Sequence, residues 1–398
     1  MLLQKVIAVK KNMIDHKIVL SLIKAALDGT PADLGEDFPI DEYIQFASMQ
    51  QIEALLVTGM LKSGVTLSAD VRKMLYGAVM ISSHQLSALE RLCNVFSENG
   101  IDHMPLKGSM LKSLYPSDEL RSMGDIDMLV RMDQYDRVRP LMLAEGYQEG
   151  DESDHEYHWT REDAHIELHK RLIPSYNKDY YAFYGEGWQL AKPCSTLHRF
   201  VMSHEDTFIF LFTHYAKHYR DAGVGVRQAL DLYVYRMAYP DIDEVYVLEK
   251  MQLLQLNRFY ANTMCMLDVW FKGSTHTGAS QLIEDRLFSS GVFGTRENSL
   301  QSTMLKEANT QGTVKKAKLI KWLNILFLPR IEMCKLYPFL KRIPCLLPVM
   351  WAVRWGDVLF HRRNRIHARV QENKDVNSES IEAYHEMLHK SGLDFNFK

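Results

Sequence analysis

The strongest pattern of apolar and polar positions in this chain lies between Ile101 and Val130. A short apolar run at residues 101–106 predicts a β-strand, and a break at residues 107–109 separates it from a helix-like run at residues 110–114. A second apolar run, residues 125–130, predicts another strand. Two strands joined by a turn and a short helix indicate an α+β core in this part of the chain.

Two aspartates lie within the second predicted strand. Successive side chains of a strand point to opposite faces, so Asp125 and Asp127 are expected to share one face while the apolar residues between them point into the core. Carboxylates held about 6–7 Å apart along a strand suit a divalent cation with oxygen ligands, such as Mg²⁺. Other acid-x-acid pairs occur at residues 154–156, in a polar loop, and at residues 241–243, before a helix.

The turn before the short helix is a second chemical feature. Gly108 and Ser109 offer backbone N–H groups at a helix N-terminus, where phosphate binds readily. The glycine has no Cβ to keep a phosphate away, although an ordinary turn is the alternative interpretation. The stretch is too short for a Walker loop. Together with the two aspartates, this turn makes phosphoryl or nucleotidyl transfer our first hypothesis.

A later hairpin supplies a third carboxylate. Residues 157–160 and 164–172 predict two strands joined by a tight turn. Glu167, His165 and His169 share the face opposite the apolar residues of the second strand. If this strand neighbours the one with the two aspartates, Glu167 completes a three-carboxylate site; otherwise it is a surface residue. We assign the two histidines to a candidate substrate face.

Helical periodicity dominates the remaining sequence. Before residue 101 it predicts a helix at residues 18–27, a second from an N-cap at Asp41 to Leu61, and a long third helix capped by Ser68 or Asp70.

Beyond the second strand, the pattern alternates between helices and polar stretches. Asp133 is expected to cap a helix, residues 148–154 to form a polar loop, and the aromatic-rich residues 173–200 to form a loop or lid. Helices follow from Glu205 to Lys272, and residues 273–313 predict a flexible connection. We therefore divide the chain into an N-terminal helical region, an α/β core, a helical domain and a basic helical C-terminal region: residues 1–100, 101–200, 201–310 and 311–398.

Basic side chains in two places are candidate anion contacts. His214, Lys217 and His218 fall on one face of a predicted helix, at i, i+3 and i+4. Lys217 adds a cation there, and the glutamate of a metalloprotease motif is absent, so zinc is disfavoured. Phosphate or substrate contact and a structural hydrogen-bond network are both open, and His214 joins the candidate substrate face. Arg121 is either a solvent-exposed loop residue or a phosphate clamp.

The net charge of −3 is unevenly distributed. Residues 314–370 contain 13 Lys and Arg against two acidic residues, a net charge of +11. Solvated helix faces are one interpretation, and contact with nucleic acid, a phosphorylated substrate or a membrane surface is the other. No RNA-binding motif accompanies the basic region.

Composition is typical of a globular protein of two or three domains, with 398 residues, 46% hydrophobic and 24% charged. The five cysteines are scattered and form no CxxC pair, which indicates reduced thiols and argues against a zinc–cysteine site. No signal peptide and no run of about 20 apolar residues is recognisable. We therefore expect a cytoplasmic protein without a transmembrane segment.

At these motifs the sequence resembles the nucleotidyltransferase superfamily typified by DNA polymerase beta. The pattern of that superfamily is an apolar residue, Gly followed by Gly or Ser, a spacer, Asp-x-Asp in a strand, and a third carboxylate on a later strand. It occurs here as Leu106, Gly108-Ser109, Asp125-Ile126-Asp127 and Glu167. The segments LKGSMLKSLYP, RSMGDIDMLV, IELHKRL and FTHYAKH are similar to one branch, the uncharacterised bacterial nucleotidyltransferases.

The resemblance implies a small mixed β-sheet flanked by helices and a two-metal mechanism. Asp125 and Asp127 would bridge two Mg²⁺ ions, with Mn²⁺ as an alternative, and Glu167 would hold the second ion and accept the hydroxyl proton. Gly108 and Ser109 would hold the β- and γ-phosphates of the NTP. The residues implied to neutralise the phosphates are Lys107, Arg121, Lys217 and His218.

Our leading hypothesis is an Mg²⁺-dependent transfer of NMP from an NTP such as ATP to an acceptor hydroxyl, with release of pyrophosphate. The acceptor is a protein, a small molecule or an RNA, and the basic region favours an anionic one. One alternative is a catalytically inactive protein that binds nucleotide and a partner, although three retained carboxylates argue against it. Another is transfer of a phosphate-linked group to a surface glycan or natural product.

Overall fold

The structure is a computed structural model, and it describes residues 14–292, 294–295, 298–303, 305, 327–361 and 378–394. These residues form two compact units. The first runs to Lys217 and resumes from Val224 to residue 292, and the second comprises His218–Gly223 and the described residues from Gly294 onward. The finer division into four regions stays a prediction.

Helices form most of the described chain, and the strands are confined to its middle. The α-helices are α1 His16–Asp28, α2 Ile40–Gln50, α3 Glu53–Lys62, α4 Ala69–Glu98, α5 Gly108–Leu111, α6 Tyr135–Ala144, α7 Lys178–Tyr184, α8 His204–Asp221, α9 Val226–Ala238, α10 Glu244–Leu253, α11 Asn257–Lys272, α12 Gly278–Ser290, α13 Arg330–Leu336, α14 Leu347–His361 and α15 Ser378–Ser391. The strands are β1 His103–Pro105, β2 Ile126–Val130, β3 Gln148–Glu152, β4 Glu156–Arg161, β5 Ala164–His169, β6 Lys192–Pro193 and β7 Phe200–Val201.

The predicted α+β class is confirmed: five strands form one small mixed sheet in the order β1-β2-β5-β4-β3. The central pair, β2 and β5, is parallel, and the other neighbours are antiparallel. The predicted hairpin is β4–β5, which closes between Arg161 and Ala164. It returns the chain so that β5 lies directly beside β2, which is the arrangement that the three-carboxylate hypothesis requires.

One face of the sheet is the hydrophobic core. Ile126 and Met128 of β2 and Ile166 and Leu168 of β5 are buried there, as the alternation of their strands predicts. They pack against the second half of α4 and against α6, whose buried residues include Leu92, Phe96, Val138 and Met142. The opposite face of the same strands is therefore left to polar side chains.

The N-terminal helices follow the predicted pattern with one correction. Ser68 caps α4 by accepting a hydrogen bond from the backbone N–H of Val71, so Ser68 rather than Asp70 is the cap. The expected single helix from an N-cap at Asp41 to Leu61 is wrong. The helix begins at Ile40, and the chain breaks at Gln51, which adopts a left-handed conformation with φ of 53° before α3 begins.

Three other local predictions are wrong. Asp133 caps no helix, because it lies in a 3₁₀ turn that leads into α6. Residues 148–152 of the expected polar loop form the edge strand β3, whose residues are all exposed and therefore show no alternation. Residues 173–200, expected to be a loop or lid, contain α7 and the paired strand β6, which bonds to β7.

The expected flexible connection at residues 273–313 is wrong in its first part, because a capping box at Thr277 begins α12 there. The basic region is described only over residues 327–361, where prolines separate α13, two 3₁₀ turns and α14. The remainder of that basic region lies outside the described residues. Among the described residues, no helix is both long and apolar enough to cross a bilayer.

Candidate active site

Two acidic side chains meet where β2 lies beside β5. Asp127 and Glu167 are register partners across these parallel strands. His169 follows on the same face of β5, and its Nε2 lies 2.8 Å from Oδ1 of Asp127. One ligand atom from each of these three residues lies within 4.8 Å of the others. This spacing suits a shared divalent cation.

Asp125 lies outside this group. The strand begins at Ile126, so Asp125 has no ladder partner in β5, and its side chain is exposed. Whether Asp125 shares a face with Asp127 therefore stays a prediction, and it is supported by the charges of Asp127, His165 and His158, which act on the pKa of Asp125. The two carboxylates still interact, because desolvation and the negative charge of Asp127 raise the pKa of Asp125.

Lys107 supplies the cation beside Asp127. Its Nζ lies 2.7 Å from Oδ1 of Asp127 and 3.5 Å from Nε2 of His169. Burial opposes the charge of both partners, yet the ammonium and the His169 hydrogen bond keep the pKa of Asp127 below its ordinary value. The backbone of Lys107 has φ of 46° and ψ of −119°, a conformation that favours glycine. The side chain is thus held over Asp127 by a strained turn.

Hydrogen bonds and close packing hold the turn that follows Lys107. The Ser109 N–H donates to the carbonyl of Leu106 at 3.1 Å, and the Ser109 hydroxyl lies 3.4 Å from the Asp127 carbonyl oxygen. A Cβ on Gly108 would collide with the guanidinium of Arg121 and with the side chain of Met123. The packing of Arg121 against this turn therefore requires a glycine at position 108. The sequence alone suggests a different reason for the glycine, which is the close approach of a phosphate.

Arg121 is buried, so its interpretation as a solvent-exposed loop residue is wrong. Its Nη2 lies 2.9 Å from Oδ2 of Asp231 on α9, and its Nε lies 3.2 Å from Oδ1. The hydroxyl of Tyr115 donates to the same carboxylate at 2.8 Å. Arg121 thus ties the turn at Gly108 to α9, and its role as a phosphate clamp stays a prediction.

The other predicted cations and histidines lie on β5 and α8. His165 is exposed on β5. His214 and Lys217 are partly exposed on α8 in the first compact unit, whereas His218 belongs to the second unit. Substrate or phosphate contact by these four residues stays a prediction.

Two residues that the sequence analysis missed lie next to Glu167. Glu156 was assigned to a polar loop, but it begins β4 and pairs in register with His169. His158 pairs in register with Glu167, and its Nδ1 lies 3.7 Å from Oε1 of that carboxylate. The alternation of Glu156 and His158 with the apolar Tyr157 and Trp159 was the available signal.

We call the set Asp127, Glu156, His158, Glu167 and His169 the polar face. Desolvation and the negative charges of Asp127 and Glu156 raise the pKa of Glu167 to about 8. Burial acts the same way on Glu156, but hydrogen bonding to His155 and the charge of His169 lower its pKa to about 2. The polar face therefore concentrates carboxylates that neighbouring cations only partly neutralise.

Three comparisons with known proteins bear on this site. A model of a family described as uncharacterised nucleotidyltransferase matches residues 36–272, which include the whole polar face. No curated protein matches the chain. Among solved structures, the chain is similar to the antibiotic-resistance factor ANT(2'')-Ia, determined in solution, with 12% identity and a TM-score of 0.32. That match covers 48% of this chain and 99% of the other.

Proposed function

Because the chain belongs to this family of uncharacterised nucleotidyltransferases, we propose that it transfers an NMP from an NTP to an acceptor hydroxyl and releases pyrophosphate. The observation that carries the proposal is the in-register pairing of Asp127 with Glu167 across parallel strands, next to the lysine of the phosphate turn. Metal-binding carboxylates beside a cation are what a triphosphate substrate needs. We propose Mg²⁺ as the divalent cation.

The donor set fits a divalent cation. Asp127 and Glu167 offer carboxylate oxygens, the ligands that Mg²⁺ and Mn²⁺ prefer, and His169 Nε2 donates to Asp127 and orients its carboxylate. Desolvation and the negative charges of Asp127 and Glu156 raise the pKa of Glu167, and a bound cation would oppose these effects. Bound there, the ion would neutralise the triphosphate and lower the pKa of the acceptor hydroxyl.

Side chains and backbone groups of the protein would accept the proton and bind the phosphates. Glu167 accepts the proton of the acceptor hydroxyl, a role that requires the ionised carboxylate, which a bound cation would favour. Lys107 holds a positive charge beside Asp127, where the phosphates of the NTP would approach. Gly108 and Ser109 would orient those phosphates at the start of α5.

The test is transfer of label from each NTP, with α-phosphate label, Mg²⁺ and a cell extract as the source of acceptor. We expect Asp127→Asn to lower transfer at least about 1000-fold, because it removes a metal ligand and the partner of Lys107. Asp136→Asn is the matched control, since it makes the same chemical change on an exposed position of α6. It should leave transfer unchanged.

A buried ion pair is lost in Asp127→Asn, so its melting temperature and circular dichroism are recorded as well. Glu167→Gln gives a second variant that removes no ion pair with Lys107 and should also abolish transfer. Normal transfer by either folded variant contradicts the proposal. Nucleotide binding by the wild type without pyrophosphate release would instead support the inactive, partner-binding alternative.

A further inference from the structure

The polar face contains a second group of possible metal ligands beyond those of the proposed reaction. Glu156, His158 and Glu167 each offer one ligand atom, and these atoms lie within 4.8 Å of one another. Glu167 belongs to both groups, because it stands between Asp127 on β2 and His158 on β4 in the same row across the sheet. A carboxylate has two oxygens and can bridge two cations.

A buried ring nitrogen of His169 also faces Glu156. Nδ1 of His169 is buried and has no hydrogen-bond partner among the described residues, and it lies 3.9 Å from Oε2 of Glu156. A carboxylate only accepts hydrogen bonds, so the other ring nitrogen must donate its proton to Asp127. In the neutral ring Nδ1 is then also an acceptor. His169 Nδ1 thus faces an oxygen of Glu156 that already contacts His155, and a cation, or water bound to one, would supply the missing partner of the ring nitrogen.

We infer that Glu156, His158 and Glu167 form a second divalent-cation site, in which Glu167 is the ligand shared with the Asp127 site. This inference deepens the proposed function, since it rests on the same site, and it adds β4 residues to the ligands that the sequence predicts. Asp125 lies outside both groups of ligand atoms.

The donor chemistry indicates which cation the second site takes. An imidazole nitrogen is a poor ligand for Mg²⁺ and a good one for divalent first-row transition metals, of which Mn²⁺ also accepts carboxylates. His158 leaves a route for the ion from solvent, because 36% of its side chain is exposed, against 13% for Glu156. The second site therefore favours Mn²⁺ over Mg²⁺.

Neighbouring groups hold the ligands in position. His155 Nε2 lies 3.0 Å from Oε2 of Glu156, and His158 Nε2 lies 3.3 Å from its Oε1. Such contacts orient a carboxylate before a metal binds. Since His158 contacts Glu156 through Nε2 and faces Glu167 through Nδ1, small side-chain rotations decide which nitrogen ligates.

The experiment measures Mn²⁺ binding to the full chain by electron paramagnetic resonance, without nucleotide. The wild type should bind two Mn²⁺ per chain. His158→Ala should lower the affinity of one of the two about 10-fold or more, and it should also remove one imidazole nitrogen coupling from the pulsed spectrum of bound Mn²⁺. Glu156→Gln is a second variant with the same expected loss. His165→Ala is the matched control, because His165 lies on the same face but in neither ligand group.

Two strong Mn²⁺ sites in folded His158→Ala and Glu156→Gln would overturn the inference, and so would a wild type that binds a single ion. The proposed function fails separately, through absence of pyrophosphate release with Mg²⁺. Asp127→Asn distinguishes the two, since it should abolish transfer and yet retain one Mn²⁺ at the β4 site.

Discussion

The polar face and a second cluster, at Glu284, contain the same residue types in opposite electrostatic conditions. Glu284 on α12 is buried and accepts hydrogen bonds from His16 Nδ1 at 2.8 Å and Trp270 Nε1 at 2.7 Å, and His276 Nε2 lies 3.1 Å from its Oε2. These donors lower its pKa although burial acts against them. Glu167 has imidazole nitrogens no closer than 3.7 Å, and its pKa is raised.

Spacing alone would not separate the two clusters. His16, Glu284 and Asp285 also lie within 4.8 Å of one another and line a cavity of about 720 Å³. The difference lies in hydrogen bonding: Glu284 accepts two hydrogen bonds and has a third imidazole or indole N–H group nearby, whereas other carboxylates surround Glu167, and a bound cation would offset their charge. Measurements of stability can test this comparison directly.

The largest effect is expected at Glu284. Glu284→Gln places an amide N–H₂ beside the N–H groups of His16 and Trp270 and should lower the free energy of unfolding by about 2–3 kcal/mol. Asp285→Asn, an exposed neighbour on α12, is the control and should change it by less than about 0.5 kcal/mol. Urea denaturation measures both. Equal losses of unfolding free energy in the two variants would show that the hydrogen bonds of Glu284 stabilise the fold no more than an exposed carboxylate does.

A smaller effect is expected at Asp231, another satisfied carboxylate. Tyr115→Phe removes one of its donors and leaves the two bonds from Arg121, so the free energy of unfolding should fall by about 1 kcal/mol. Tyr76→Phe serves as the control, because Tyr76 is 69% exposed on α4. A loss of stability as large as that of Glu284→Gln would mean that the ion pair between Asp231 and Arg121 also depends on the Tyr115 hydroxyl.

An effect of opposite sign is expected at Glu167. Its pKa of about 8 in the folded protein exceeds the ordinary 4.5, so between these values the folded state holds a proton that the unfolded state releases. This group therefore makes the wild type less stable as pH rises from 5 to 8 in EDTA. Glu167→Gln removes that dependence and should be the more stable protein at pH 8.

The comparison for Glu167→Gln uses urea denaturation at pH 5 and pH 8, with Glu162→Gln in an exposed turn as the control. A difference between Glu167→Gln and the wild type that stays the same at both pH values would show that Glu167 lacks the repulsion described here. Divalent cations should restore the wild type at pH 8.

The parts of the site that follow from local alternation were predictable from the sequence. Ile126 and Met128 alternate with Asp127, which fixes the polar face of β2. The pairing of Arg121 with Asp231, 110 positions away, has no local pattern, because burial and not periodicity brings the two together. The family resemblance supplied the role of Glu167, whereas Glu156 was missed because its strand begins within a polar stretch.

Outside the site, too, the sequence predicts only those features that have a local pattern. The cap at Ser68 has a local signal, a hydroxyl before an amphipathic helix. The break at Gln51 has none, since a glutamine in a left-handed conformation carries no glycine or proline signal. Its side chain and that of Gln50 are held by contacts with distant segments, such as Arg227 and Val226.

The strained turn at Lys107 holds an ammonium group of the chain itself against Asp127, where it would compete with a bound cation. A non-glycine residue in this conformation costs about 1–3 kcal/mol, and the position is nevertheless a lysine whose ammonium rests on Asp127. In the proposed reaction, an ion that replaces the ammonium at Oδ1 of Asp127 would compete with a charge tethered to the same polypeptide, at an effective concentration of the order of millimolar or above. Its affinity would then be an exchange constant, and the displaced ammonium would become available to the incoming polyphosphate.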